Sequence, residues 1–162
     1  MNTTRKQNAV FAFLDEYKKA INELKFTIAE LNEKEITEIL DKETLNPECS
    51  SIQRILTHVI SSGYSYCIYI QNHRNINSIR PEQKFRSSAK EYLNDLDNII
   101  AFTNETFSNI YDDELEEFNG SDKIATKWGQ AYDIEQMLEH SIVHILRHRR
   151  QIENFKKKIQ RS

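Results

Sequence analysis

Residues Asp133 to Ile159 read DIEQMLEHSIVHILRHRRQIENFKKKI. Within them Ile134, Met137, Leu138, Ser141, Ile145, His148, Ile152, Phe155 and Ile159 recur in steps of three and four, the period of one helix face. Asp133 precedes the stripe and Gln136 stands three residues on, the spacing at which an N-cap and its reciprocal partner occur. The segment reads as one long amphipathic helix. Such a helix draws most of its stability from burying its apolar face against other elements.

The rest of the chain supplies those partners. Val10, Phe13, Leu14, Tyr17, Ile21, Leu24, Ile28 and Leu31 make one stripe. Ile52, Ile55, Leu56, Val59, Gly63, Tyr66 and Ile70 make another, bounded by Pro47 and opened by Ser50 and Gln53 at capping-box spacing. A third runs from about Arg86 to Ile110 through Ala89, Leu93, Leu96, Ile100, Thr103, Phe107 and Ile110. Amphipathic helices in this number and of this length pack best as an antiparallel four-helix bundle. The expected fold class is therefore all-α, with a single domain over residues 1–162. The connector from Tyr111 to Tyr132 is longer than most bundle loops, and its Leu115, Phe118 and Trp128 predict that it packs over the bundle.

Composition points the same way. With 3 glycines and 2 prolines the chain has too little turn punctuation for a β-rich fold, and 38% hydrophobic with 29% charged residues is the balance of a folded globular protein. A net charge of −3 argues against a general nucleic-acid binder. The basic residues that gather near the end, from Arg147 to Arg161, read as cations complementing a helix C-terminus. Cys49 and Cys67 lack metal-binding spacing and do not make a disulfide scaffold. MNTTRKQNAVFAF lacks the apolar block of a signal peptide, and no run approaches the ~18 apolar residues of a membrane span; the expectation is a cytoplasmic protein with no membrane partner. Glycine-rich phosphate loops and a G-x-S-x-G elbow are missing, and DDELEE, from Asp112 to Glu117, lacks the pattern of an EF-hand and reads as solvated surface.

His140, His144 and His148 stand four apart in the opening stretch. Residues at that spacing lie roughly 40° apart around a helix and one turn along it, so two imidazoles can reach one ion, as in H-x-x-x-H metal sites. His148 lies within the apolar stripe, His144 at its edge, and His140 further outwards. A buried imidazole needs a partner, either a hydrogen bond or a metal; a satisfied core histidine with a surface neighbour is the plain alternative. A catalytic site of this type takes three protein ligands and keeps one position open. His58, at the margin of the second stripe, is the candidate for the third. His73 is expected in a solvated loop. Ile145 follows His144, which excludes an H-E-x-x-H reading.

A histidine in a serine-capped second helix, as in SSIQRILTH, followed by H-x-x-x-H-R-x-Q-I in the last, resembles the DinB/YfiT-like superfamily of four-helix metalloproteins. The matching residues are His58, His144, His148, Arg149, Gln151 and Ile152; Arg150 stands where many relatives have glycine, and Ile145 where many have glutamate. The resemblance implies that His58, His144 and His148 hold a divalent ion, commonly zinc or nickel, beside a cleft at one end of the bundle, with homodimers common. His140 lies outside that ligand set.

The resemblance also implies a metal-dependent enzyme acting on a small-molecule substrate, either by transfer of a low-molecular-weight thiol or by hydrolysis. The competing expectation is a non-catalytic metal-binding bundle, in which the ion ties two helices together and adds its binding free energy to folding.

Overall fold

The computed structural model describes residues 5–161. Its long helices are α1 (Asn8–Ile28), α3 (Ile52–His73), α4 (Ala89–Phe107) and α5 (Ile134–Gln160), with a short α2 (Glu33–Thr37) after the first. A two-stranded antiparallel hairpin, β1 (Ile124–Ala125) and β2 (Ala131–Tyr132), lies in the last connector. The fold is predominantly helical and bundle-like. Among the described residues no helix is long and apolar enough to cross a membrane.

Capping fixes where the helices begin. Asp133 accepts from the Gln136 backbone N–H and Gln136 answers to the Asp133 backbone, as the spacing predicts. On α3 the cap falls one residue later than expected: the Ser51 hydroxyl accepts from Arg54 N–H, while Ser50 Oγ donates to the Pro47 carbonyl. Helix α1 has no side-chain cap of its own at Gln7. Its first N–H groups, from Asn8, Ala9 and Val10, donate instead to the Asp112 carboxylate. The acidic run is therefore not merely solvated surface. Asp112 supplies the negative charge that a helix N-terminus favours, Asp113 and Glu114 pair with Arg5, and Glu114 also takes Arg74 at 2.5 Å.

The long helices close a ring in which α1 touches α4 and α5, and α3 touches the same two. Their stripes meet in one core that includes Val10, Tyr17, Leu24, Ile55, Leu56, Leu96, Met137 and Ile152. The face of α4 is rotated from the expected one: Tyr92 and Ile99 are fully buried, whereas Leu93 and Ile100 are only partly so. Tyr92 earns that position by its hydroxyl, which meets Thr57 Oγ1 at 2.6 Å, donates to the Gln53 carbonyl at 3.0 Å and accepts from Arg86 N–H at 3.1 Å. Gly63 lets α3 lie close against α4, since a Cβ there would be 2.8 Å from Ile99 Cγ1.

The long connector does pack back, in part. Leu115 is buried and Trp128 half-exposed among aromatics, but Phe118 points to solvent at 89% exposure. The hairpin within it turns through Gly129, whose φ of +88° lies in the left-handed region that glycine adopts without strain. The turn presents Lys127 and Trp128 at its tip, and the Lys127 N–H donates to Tyr69 Oη on α3. Cys49 and Cys67 are both free.

Candidate metal centre

Adjacent packing of α3 and α5 brings His58 opposite His144 and His148. Their donor nitrogens lie close together: His58 Nε2 is 2.9 Å from His144 Nε2, and His148 Nε2 is 3.1 Å from the same atom. One ligand atom from each ring falls within 4.8 Å of the others. The two short separations are near the roughly 3.0–3.4 Å expected for nitrogens ~2.1 Å from a common ion at right or tetrahedral angles. The three side chains could hold a metal ion.

The outer nitrogens decide how the rings present themselves. His58 Nδ1 lies 3.0 Å from Glu48 Oε2, and a carboxylate only accepts, so Nδ1 carries the proton. His148 Nδ1 lies 2.6 Å from Gln151 Oε1; the Cys49 thiol points at that same oxygen from 3.9 Å. His148 therefore also donates from Nδ1. In the neutral form that binds a metal, Nε2 of each ring is then left as a lone pair aimed inwards, the arrangement that metal-ligating histidines take when an outer acceptor fixes the tautomer.

His144 Nε2 lies between those two lone pairs and carries at most one proton. It can satisfy one neighbour, and the other then faces a nitrogen with no hydrogen between them. A cation at the common point resolves the conflict because it accepts all three lone pairs at once. The donor set fits a divalent ion of intermediate softness; imidazole alone does not choose among zinc, nickel and iron.

Burial favours the neutral form of the two α5 rings. Burial pushes His148 down to about 4. Burial, reinforced by the neighbouring His148 and His58 rings, pushes His144 down to about 2. A neutral imidazole is the form that binds a metal.

His140 stands outside the cluster, as its position on the helix suggested. Its Nδ1 is 3.3 Å from Tyr132 Oη, and its ring stacks against Trp128; burial lowers its pKa. His73 ends α3 on the exposed surface. Of the residues that follow His148, Gln151 holds the His148 tautomer, Ile152 enters the core, and Arg149 pairs with Glu23 of α1. Glu48 was not legible in the sequence. It lies in a 3-10 turn (Pro47–Cys49) before α3, where no helical period links it to His58. The aromatic wall of Tyr66, Tyr69, Trp128 and Tyr132 was equally hidden, because the hairpin that brings Trp128 there carries only the weak signal of Gly129.

Compared with protein-family models and with curated proteins, the chain matches none.

Proposed function

We propose that the chain is a DinB/YfiT-like metalloprotein in which His58, His144 and His148 hold a divalent ion, zinc or nickel, and that it acts on a small molecule by thiol transfer or hydrolysis. The observation that carries this reading is the inward lone pairs of His58 and His148, fixed by Glu48 and Gln151, with His144 Nε2 between them at 2.9 and 3.1 Å. A cluster built only as a core hydrogen-bond network would place a donor opposite each acceptor.

A bound divalent ion supplies Lewis-acid chemistry, by which a water or a thiol sheds its proton near neutral pH. The protein's own groups do the positioning. Glu48 and Gln151 hold two imidazoles in the correct tautomer and orientation. Met137, Leu138, Ile145 and Ile152 bury the α5 stripe that carries His144 and His148. His58 and His144 border a surface cleft, so the cluster is reachable from outside. Catalysis is favoured over a purely structural ion because structural zinc sites are closed by four protein ligands, whereas three leave a position open.

Elemental analysis of protein purified without added metal tests the ligand set. Wild type should carry about one equivalent of a divalent transition metal, and His58→Ala and His148→Ala should each lose it while keeping their helical circular dichroism. Full occupancy in His58→Ala would remove that residue from the site. Protein loaded with zinc or nickel should then conjugate a low-molecular-weight thiol to an electrophile, or cleave an ester or amide. Loss of metal without any turnover across both panels would leave a metal-binding protein and end the enzymatic reading.

A further inference from the structure

A cleft of about 850 Å³ opens beside the histidine cluster, with His58, His144 and His140 in its wall. That volume suits a small organic molecule. One wall is a run of stacked rings. Trp128 stacks on His140 with centroids 5.4 Å apart and planes 18° apart, and His140 on His144 at 6.4 Å and 17°. Tyr66 and Tyr69 meet Trp128 edge-on at 6.1 and 5.7 Å. The hairpin tip thus extends a flat, largely apolar surface up to the metal-facing nitrogens.

The charges round the cleft are one-sided. Arg80, Lys127 and Arg147 border it, and among the described residues no carboxylate does. The chain has 25 acidic residues against 22 basic ones, so an acid-free rim with these cations is not average surface. Among the described residues none of the three forms an ion pair with a carboxylate. Arg80 donates to Ser65 Oγ at 3.3 Å, a neutral partner. Outside the cleft Arg5, Lys25, Arg74, Arg86, Lys123 and Arg149 pair with Asp or Glu; what sets the cleft apart is that its cations share one concave wall with aromatic rings. Cations left unpaired on a concave, aromatic-lined surface raise the local concentration of anions and favour flat ones.

We propose that this cleft binds a small organic anion with a flat, unsaturated body. Its anionic group is held by Arg80, Lys127 and Arg147, and its body lies along the Trp128–His140 wall, pointing towards the metal-facing nitrogens. That the anion is a substrate rests on the function proposed above; that it binds does not. Guanidinium groups present paired donors to a carboxylate or phosphate, and the ring faces give area without adding rotatable bonds. A neutral molecule of the same shape keeps the stacking and forgoes the charge.

Trp128 is the only tryptophan in the chain, so its fluorescence reports the cleft directly. The test uses 4-nitrobenzoate and its neutral isostere 4-nitrobenzamide, both quenchers of indole emission, titrated into chelator-stripped protein. Removing metal ensures that a carboxylate gains nothing from coordination. The benzoate should bind at least ten-fold more tightly than the amide, and the advantage should shrink as salt is raised. The double variant Arg147→Gln/Lys127→Gln should bring the two affinities together, while Lys19→Gln on α1, outside the cleft, should leave the ratio unchanged.

Equal affinities in wild type would overturn the proposal. So would a preference that survives the double variant, or one that appears only when metal is added, since the anion would then be contacting the ion and not these side chains. If stripped protein loses its helical signal, the same ratio in loaded wild type and loaded double variant carries the test. Metal content measured on the same samples reports separately on the ligand set, so either reading can fail without the other.

Discussion

Replacing Gln151 by leucine removes the acceptor of His148 Nδ1 and leaves a side chain of similar size. His148 is 4% exposed, so water cannot take over the bond. The variant then has two options. It can keep the Nδ1 proton buried without a partner, at a cost of about 1–3 kcal/mol. Alternatively the proton moves to Nε2, and the lone pair that faces the cluster is lost. Either route penalises metal binding. Removing outer partners of metal-bound histidines typically lowers affinity 10–100-fold, which is about 1.4–2.7 kcal/mol. Competition against a chromophoric chelator measures this directly, with zinc titrated into wild type and variant side by side. Gln151→Glu is the control: it restores an acceptor, now charged, and should bind zinc at least as well as wild type. Glu48→Ala should have the weaker effect, because the Glu48 side chain is half-exposed and water can replace it at His58. If Gln151→Leu binds zinc within about two-fold of wild type, outer hydrogen bonds do not set the tautomers, and the lone-pair argument for the site fails.

Other perturbations test the frame around the site. In metal-free protein, burial has pushed His148 down to about 4 and His144 to about 2, against an ordinary value of 6.5. The unfolded chain therefore takes up more protons than the native one in that window, so stability is fully present above about pH 6.5 and falls as pH drops below it. Urea midpoints measured at pH 7.5, 6 and 5 should decline in wild type and decline less in His148→Phe. Tyr92→Phe removes the hydroxyl that serves Thr57, Gln53 and Arg86 in the core, and should cost about 1–3 kcal/mol in chemical unfolding; an unchanged midpoint would mean the three partners find each other or water. Gly63→Ala sets a helix-propensity gain of about 1 kcal/mol against overpacking of about 1–3 kcal/mol at Ile99. With the new Cβ 2.8 Å from Ile99 Cγ1, overpacking should win and the melting temperature should fall; a rise would show that α3 and α4 can separate without loss.

Burial is a collective property of a helix face, and faces are legible wherever period and capping agree. On α5 both did: the stripe from Ile134 to Phe155 is buried and Asp133 caps it as its spacing requires. On α4 the stripe through Leu93 and Ile100 competed with one through Tyr92 and Ile99. The choice between them came from hydrogen bonds that the Tyr92 hydroxyl makes to another helix and a loop, which no local pattern encodes. Likewise α2 is too short to show a period, though Asn32 and Glu35 form a reciprocal cap and Ile36 is fully buried. Asp112 looked like one acid in a charged run; its role is to cap a helix about a hundred residues earlier in the chain.

The site divides along the same line. His144 and His148 share a helix, so their convergence follows from spacing alone, and Gln151, three residues beyond His148, lies within reach of the same face. His58 needed the long-range contact of α3 with α5. From its own helix it was only marginal, and what turns it inwards is the pairing of its outer nitrogen with Glu48 at 3.0 Å. The cleft beside it was least visible, since it is assembled from a hairpin tip (Lys127, Trp128), the loop between α3 and α4 (Arg80) and one turn of α5 (Arg147). Chemistry placed on separate segments leaves no period in the sequence. Its trace is an imbalance that only the fold exposes: cations without carboxylate partners, gathered round rings that stack towards the histidine cluster.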